Sequence, residues 1–118
     1  MTKTTPPARL RLRVHFGPTM LGPGKADLLE LIDQTGSISA AGRAMKMSYK
    51  RAWTLVDEMN NAYTAPLVIS ARGGPEGGGA HLSETGHKVL GIYRAMMAQV
   101  EATTAPDIRA LADLLAPK

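Results

Sequence analysis

The sequence contains no cysteine, few aromatic side chains and no long apolar segment. Its aromatic residues are one tryptophan, one phenylalanine and three tyrosines. The absence of cysteine excludes a disulfide framework and a cysteine-bound zinc or iron–sulfur centre. The apolar runs are only a few residues long, too short for a membrane-spanning helix or for the core of a signal peptide. These absences predict a soluble cytoplasmic protein without a membrane partner, in a compartment that keeps thiols reduced.

Length and charge set the next limits. The chain has 118 residues, the size of a single domain that can bury its own core. Its formal net charge is +4, a small basic excess. The positions of the basic residues therefore say more about an acidic partner such as nucleic acid than their number does. They concentrate near the N-terminus and around residues 43–51.

Residues 9–16 alternate between basic and apolar side chains until the last pair, which predicts a half-buried β-strand. The side chains expected to face the core are Leu10, Leu12, Val14 and Phe16. The opposite face carries Arg9, Arg11 and Arg13. Two interpretations of these arginines stay open: they form a solvated face, or they contact phosphate.

Three helices are predicted after a Gly-Pro-rich connection. An apolar stripe predicts the first over residues 25–35, and Gly36 ends it. Ser37 is a favourable N-cap for a short second helix, 38–46, whose alanines permit a close helix crossing. Ser48 caps a third helix, which Pro66 ends. A short helix, a tight turn and a second helix with a basic N-terminus are typical of a helix-turn-helix that enters the DNA major groove.

Two strands and a long helix complete the pattern. Strands are predicted over 67–72 and 80–82, and the five glycines of residues 73–79 indicate a flexible hairpin tip. Ser83 caps the last helix, and a further helical piece, 108–115, follows Pro106. The predicted fold is mainly α with a small β-sheet, a winged helix-turn-helix of order β-α-α-α-β-β-α. We expect a disordered tail over 1–8, the winged domain with its dimerisation helices over 9–100, and a short tail over 101–118 that can be helical.

The candidate DNA-binding residues lie mainly at the start of the third helix. Free N–H groups and the positive end of the helix dipole face phosphate there. Lys50 and Arg51 can also reach guanine, and Thr54 a base edge or a thymine methyl group. Asp57 and Glu58 would repel phosphate one turn later. The complete predicted set is Ser37, Lys46, Ser48, Tyr49, Lys50, Arg51, Thr54, Arg72 and His81. The alternative is that the basic residues only solvate an exposed helix.

The apolar surface of the last helix and of the first exceeds what one small core requires. This excess predicts a homodimer whose helices pack across a two-fold axis. The predicted interface residues are Leu28, Leu29, Ile32, Ile92, Tyr93, Met96, Met97 and Val100. A symmetric dimer would bind DNA half-sites about one or two helical turns apart.

Patterns for catalysis, cofactors and metals are weak. Residues 78–80 lack the lysine and hydroxyl residue of a phosphate-binding loop. His81, Glu84 and His87 have a metal-like spacing, but His81 precedes the helix that carries the other two, so we expect no metal site. No nucleophile–histidine–acid arrangement stands out, so we predict neither enzymatic activity nor a cofactor. Trp53 is expected to pack between the helix pair and the wing, because base stacking is mainly a single-strand mode.

Two segments resemble the N-terminal DNA-binding domain of ModE-type molybdate-responsive regulators. The first runs Gly36-Ser-Ile-Ser-Ala-Ala-Gly-Arg-Ala-Met-Lys-Met-Ser-Tyr-Lys-Arg-Ala-Trp53 and continues to Glu58-Met-Asn60; the second is the glycine wing, from Gly73 to Gly86. The resemblance covers roughly residues 9–100 and implies DNA binding and dimerisation. The helix pair is also similar to the LysR family, but the first strand and the glycine wing favour ModE. Full-length ModE-type members carry C-terminal oxyanion-binding domains, and since this chain ends at Lys118 we expect no molybdate site in it.

The favoured interpretation is a regulator of transcription that binds double-stranded DNA sequence-specifically, as a homodimer on a palindromic operator. Two alternatives stay open. One is a winged-helix module that binds another protein, and the other is a small oxyanion sensor with a pocket between the dimer helices. The residues specify no effector.

Overall fold

The computed structural model describes residues 7–71 and 79–117 and divides them into four helices and four short strands. The helices are α1 (Pro23–Thr35), α2 (Ile38–Ala44), α3 (Tyr49–Ala62) and α4 (Glu84–Asp113). The strands are β1 (Val14–Phe16), β2 (Thr19–Leu21), β3 (Val68–Ser70) and β4 (Ala80–Leu82). This is the mainly helical winged helix-turn-helix that the sequence predicts, with one additional strand. The tip of the predicted wing, 72–78, lies outside the described residues.

The N-terminal strand is a hairpin rather than the single long strand predicted. β1 pairs antiparallel with β2, with His15 opposite Met20 and Gly17 at φ 59° in the turn. The second strand escaped prediction because three residues between two Gly-Pro pairs are too few to show a period. Phe16 was expected to face the core and is 68% exposed instead, because it lies at the tip of this short hairpin.

Local sequence signals set the helix ends. Gly36 ends α1 in the left-handed conformation (φ 71°), and its N–H donates to the Ile32 carbonyl at 2.8 Å. Three serines act as N-caps, each accepting a hydrogen bond at 3.0 Å from the third backbone N–H of its helix; they are Ser37, Ser48 and Ser83. A serine cap of this kind contributes about 1 kcal/mol. The predicted caps are therefore confirmed.

The core lies between α1, α2, α3 and the antiparallel β3–β4 hairpin. It encloses four residues predicted for a dimer interface. Leu28, Leu29 and Ile32 have 0% exposure, and Tyr93 has 1%. The Tyr93 hydroxyl donates to the Leu12 carbonyl at 2.8 Å. Side chains enclosed by their own chain have no surface for a second copy, so the interface prediction is wrong for these four. The stripe on α1 packs against its own chain, including β4, which the sequence pattern could not show.

Helix α4 runs without interruption through Pro106. The C-terminal tail predicted over 101–118 is therefore helical as far as Asp113, as part of α4 and not as the separate helix predicted over 108–115. Within α4 the structure buries only Gly86 and Tyr93, both in the first third. Residues 94–113 therefore project from the core. The radius of gyration is 17.8 Å, against about 13.5 Å expected for a compact domain of this length.

Asn60 joins the end of α3 to the β3–β4 hairpin. Its Oδ1 accepts hydrogen bonds from the N–H groups of Leu67 (2.9 Å) and Val68 (3.0 Å), and its Nδ2 donates to the Val68 carbonyl (3.1 Å). Both hairpin residues are buried. One side-chain amide therefore fixes where the hairpin begins relative to α3.

We expect Asn60→Ala to lower the free energy of unfolding by about 2–4 kcal/mol, because two buried N–H groups lose their acceptor. Asn61 offers a matched control: it is exposed, and among the described residues its side chain donates only to the Asp57 carbonyl of its own helix, at 2.8 Å. Asn61→Ala should change the free energy by no more than about 0.5 kcal/mol. Urea denaturation measures both, and equal losses would contradict the bridging role of Asn60.

Candidate nucleic-acid interface

Helix α3 has one buried face and one exposed face, as the sequence predicts. The buried residues are Ala52, Leu55, Val56 and Met59, all in contact with the core. Lys50, Thr54, Asp57 and Asn61 are exposed on the opposite face. The exposed face carries one basic residue, Lys50, at the N-terminal end and one acidic residue, Asp57, further on, and Arg51 flanks it. It is thus suited to an anionic partner only in its first two turns.

The crossing of α2 and α3 depends on Gly42. A Cβ atom at this position would lie 2.8 Å from the Ala52 Cβ, closer than real Cβ atoms approach. The backbone then reverses through Lys46, which has φ 60°. The Lys46 N–H donates to the Arg43 carbonyl and the Met47 N–H to the Gly42 carbonyl, both at 3.0 Å. This is the Schellman pattern, with lysine at the position where glycine is usual. The sequence predicts a tight turn here but places Lys46 in the second helix, because no glycine or asparagine marks the left-handed position.

The first turn of α3 leaves backbone donors available. The Ser48 hydroxyl oxygen accepts the Arg51 N–H, and the Ser48 carbonyl accepts the Ala52 N–H. Among the described residues, the N–H groups of Tyr49 and Lys50 have no acceptor. The side chains of Tyr49, Lys50 and Arg51 are all exposed around this helix end. Free N–H groups, the helix dipole and two cations together favour a phosphate or a base acceptor.

Thr54 is already committed as a hydrogen-bond donor. Its hydroxyl donates to the Lys50 carbonyl at 2.9 Å, while the side chain remains exposed. Its proton is therefore used within the helix, and the side chain presents an acceptor oxygen and a methyl group outward. This arrangement suits the amino group of adenine or cytosine, or the methyl group of thymine.

The two aromatic residues of α3 form a pair. The ring centroids of Tyr49 and Trp53 lie 6.1 Å apart, with the rings tilted by 59°. Trp53 is half-buried and packs against the core, and its Nε1 is buried without a partner among the described residues. The predicted position of Trp53 between the helix pair and the wing stays a prediction. Tyr49 is 64% exposed. Tyr49 is thus the aromatic side chain available to a partner, with Trp53 supporting it.

The predicted DNA-binding residues do not all lie on one element. Six of them lie close together, in the turn before α3 and in the first two turns of α3: Lys46, Ser48, Tyr49, Lys50, Arg51 and Thr54. Ser37 lies half-buried at the start of α2, and His81 is exposed on β4. Arg72 lies outside the described residues.

The residues with metal-like spacing have different neighbours. His81 is exposed on β4, the Glu84 carboxylate is 3.7 Å from the Lys88 ammonium, and the His87 Nε2 is 3.7 Å from an Asp33 carboxylate oxygen. In the described part of the chain, no three His, Cys, Asp or Glu side chains are grouped so as to hold a metal ion. Nor is any described helix both long enough and apolar enough to cross a membrane.

No protein-family model matches the chain. It is 39% identical over 107 residues to the molybdenum transport protein ModE of Azotobacter vinelandii, which covers 91% of this chain and 38% of that protein. It is 48% identical over 80 residues to the molybdenum-pterin-binding protein MopB of Rhodobacter capsulatus, a match that covers 68% of this chain and 30% of that protein. It is 38% identical over 79 residues to the DNA-binding transcriptional dual regulator ModE of Escherichia coli K12, a match that covers 67% of this chain and 30% of that protein.

These similarities confirm that the chain resembles the N-terminal domain of ModE-type molybdenum-responsive regulators. None of the three names describes an enzyme. The chain spans between 30% and 38% of the length of these relatives. The similarity therefore concerns one part of each relative, and the activity of the whole relative is a separate matter.

Proposed function

We propose that this protein regulates transcription by binding double-stranded DNA sequence-specifically, as a homodimer on a two-fold symmetric operator. The observation that carries the proposal is the first turn of α3, with its two free N–H groups, two exposed cations and exposed tyrosine on a winged-helix frame. The proposal is also supported by the name of the Escherichia coli relative, a DNA-binding transcriptional regulator.

The exposed face of α3 suggests a division of roles. Lys50 and Thr54 lie one turn apart on this face and enter the major groove, where lysine binds guanine acceptors. Lys46 and Ser37, at the ends of α2, contact phosphates. Asp57, one turn beyond Thr54, excludes the rest of the helix from the groove. His81 and Arg72 contact DNA from the wing.

The projecting part of α4 supports the homodimer. Leu111 in this part is 63% exposed; Ile92, just before it, is 62% exposed, and Leu114, just after the end of α4, is 84% exposed. The predicted interface residues Met96, Met97 and Val100 are half-buried. A helix with this apolar surface gains stability mainly by packing, and the proline inside it costs about 3 kcal/mol. A second copy of α4 would supply the missing contacts.

Selection of bound sequences from random duplex DNA tests the proposal. The purified protein is mixed with the duplexes, and bound molecules are recovered and sequenced over several rounds. We expect a two-fold symmetric consensus with half-sites separated by about one or two helical turns. An enriched single half-site would support DNA reading and contradict the homodimer. The absence of any enriched sequence would contradict the proposed function.

Two other functions make different predictions for the same preparation. A protein-interaction module would show no salt-dependent DNA binding, and a partner protein would be recovered instead. An oxyanion sensor would show a rise in melting temperature with an oxyanion; molybdate is the first to test, because the names of two relatives contain molybdenum. The exposed cations at the start of α3 favour DNA over a protein partner.

A further inference from the structure

A basic pocket lies beside α3, on the side of Arg51. At 100° per residue, Arg51 and Trp53 project about 200° apart, so the pocket and the aromatic pair flank the exposed face on opposite sides. The pocket has a volume of ≈ 290 Å³ and lies between residues 11–13, the start of α1 and α3. Its charged lining residues are Arg11, Arg13, Lys25 and Arg51. No aspartate or glutamate lines it among the described residues.

The N-terminal arginines are held at this place by two contacts. The Tyr93 hydroxyl donates to the Leu12 carbonyl at 2.8 Å, which anchors the backbone between Arg11 and Arg13. The stem of Arg13 packs against the start of α1: a Cβ atom at Gly22 would lie 3.1 Å from the Arg13 Cγ. The backbone between the two arginines and the stem of Arg13 are therefore held beside α1, and both side chains remain exposed at the pocket.

The positive charges of the three arginines are not neutralised within the described residues. None of their guanidinium groups lies within 4.0 Å of a described carboxylate. Arg94 shows the contrast: its Nη2 lies 2.9 Å from an Asp27 oxygen and 3.3 Å from a Glu30 oxygen.

Lys25 has its own partners. Its ammonium group donates to the Met20 carbonyl at 2.9 Å and lies 3.7 Å from a Glu58 carboxylate oxygen. Lys25 and Glu58 therefore offset each other, and the charge of the three arginines remains.

We propose that this pocket binds one oxyanion of the phosphate type through the guanidinium groups of Arg11, Arg13 and Arg51. Guanidinium groups form paired, charge-assisted hydrogen bonds with phosphate oxygens. The position favours a phosphate of the DNA backbone, because Arg51 belongs to the first turn of α3. This occupant rests on the proposed function. A free inorganic oxyanion has the same chemistry and is the other source.

The assignment changes the expected role of Arg51. If Arg51 holds a phosphate together with the N-terminal arginines, it does not read a base. Sequence-specific contacts then fall to Lys50 and Thr54. Arg11 and Arg13, for which the sequence left solvent and phosphate contact equally open, become part of the DNA-binding surface.

The DNA arm of the test uses the duplex recovered by selection and the variant Arg11→Ala/Arg13→Ala. The control is Lys88→Ala/Arg109→Ala, which removes the same charge from exposed positions on α4. We expect the first variant to bind the duplex about 10-fold or more weakly. The plot of the logarithm of the association constant against the logarithm of the salt concentration should be less steep by about 1 or more, and the base preference should be unchanged. Ethylation of single phosphates should identify one phosphate in each half-site whose modification weakens binding of the wild type and the control but not of this variant.

The free-anion arm uses calorimetric titration of the protein without DNA, with inorganic phosphate and then molybdate. If the wild type and the control bind one of these anions and the arginine variant does not, the pocket is an anion site whose occupant is a free anion. If the arginine variant equals the control in both arms, the inference is overturned. If the wild type selects no DNA, the proposed function fails separately, and the titration alone decides on the pocket. Equal melting temperatures of the variants and the wild type show that all are folded.

Discussion

Replacing Lys50 and Arg51 together by alanine should weaken binding to the selected duplex by about 10²- to 10⁴-fold at a fixed salt concentration. A base contact by lysine or arginine contributes about 1–3 kcal/mol, and removing a phosphate contact lowers the salt dependence of binding by about one unit of slope. Both side chains are exposed in the first turn of α3, and alanine is the best helix former. Fluorescence anisotropy with the labelled duplex, at several salt concentrations, measures both effects.

The control for this loss is again Lys88→Ala/Arg109→Ala, which changes the net charge equally and lies far along the chain from α3. We expect it to reduce affinity by less than about 3-fold, because neither residue belongs to α3 or lines the basic pocket, so only the overall charge changes. An unchanged affinity of the Lys50/Arg51 variant would show that α3 does not enter the groove. An equal loss of affinity in both variants would show that Lys50 and Arg51 act only through their positive charge and make no specific contact.

The two single variants separate the roles of neighbouring residues. Lys50→Ala should relax the preference at one base position of each half-site, because a base-edge contact is lost. Arg51→Ala should weaken all sequences about equally, because its pocket holds a phosphate. Repeating the selection with each variant measures the difference. A relaxed base position for Arg51→Ala and none for Lys50→Ala would reverse the assignment.

The sequence predicted those features of the fold that depend on neighbouring residues. Ser48 lies before an amphipathic stretch, and the resulting cap, helix and exposed face were all confirmed. Gly36 ended α1 as expected for a glycine that tolerates a positive φ. These signals lie within one or two helical turns of the structure they determine, so a single sequence reveals them.

Features that depend on distant residues could not be predicted in this way. The stripe of Leu28, Leu29 and Ile32 marks a buried face, but it does not say whether the same chain or a second copy covers it. Lys46 adopts φ 60° because the crossing of α2 and α3 requires a turn there, against its own preference. The basic pocket brings Arg11 and Arg51 together across 40 residues of sequence, and only the folded structure shows that they share a surface.

Introducing a single methyl group at Gly86 should destabilise the protein strongly. A Cβ atom there would overlap the Leu67 carbonyl oxygen and would lie 3.0 Å from its carbonyl carbon and 3.3 Å from its Cα. These are backbone atoms, so a side-chain rotation cannot relieve the overlap. We expect Gly86→Ala to lower the free energy of unfolding by about 3 kcal/mol, and the melting temperature by about 10 °C or more.

Gly91 provides the matched control within the same helix. Beyond the adjacent residues and the local helix backbone, no described heavy atom lies within 4 Å of the position its Cβ would take. Gly91→Ala should therefore gain up to about 1 kcal/mol from the higher helix propensity of alanine. Thermal melting at one fixed protein concentration compares the two variants under the same degree of assembly. If both variants lost stability alike, the effect would come from α4 in general and not from the contact with Leu67.

The position of Leu67 explains why this contact matters beyond stability. Its carbonyl accepts the Ser83 N–H at 2.9 Å, and its N–H donates to Asn60 at the end of α3, also at 2.9 Å. One residue thus links α3, the base of the β3–β4 hairpin and the N-terminal end of α4. Gly86→Ala pushes against this junction, so any folded fraction should bind DNA more weakly, whereas Gly91→Ala should bind as the wild type does. Normal affinity in folded Gly86→Ala would show that the hairpin and α3 keep their geometry without the close approach of α4.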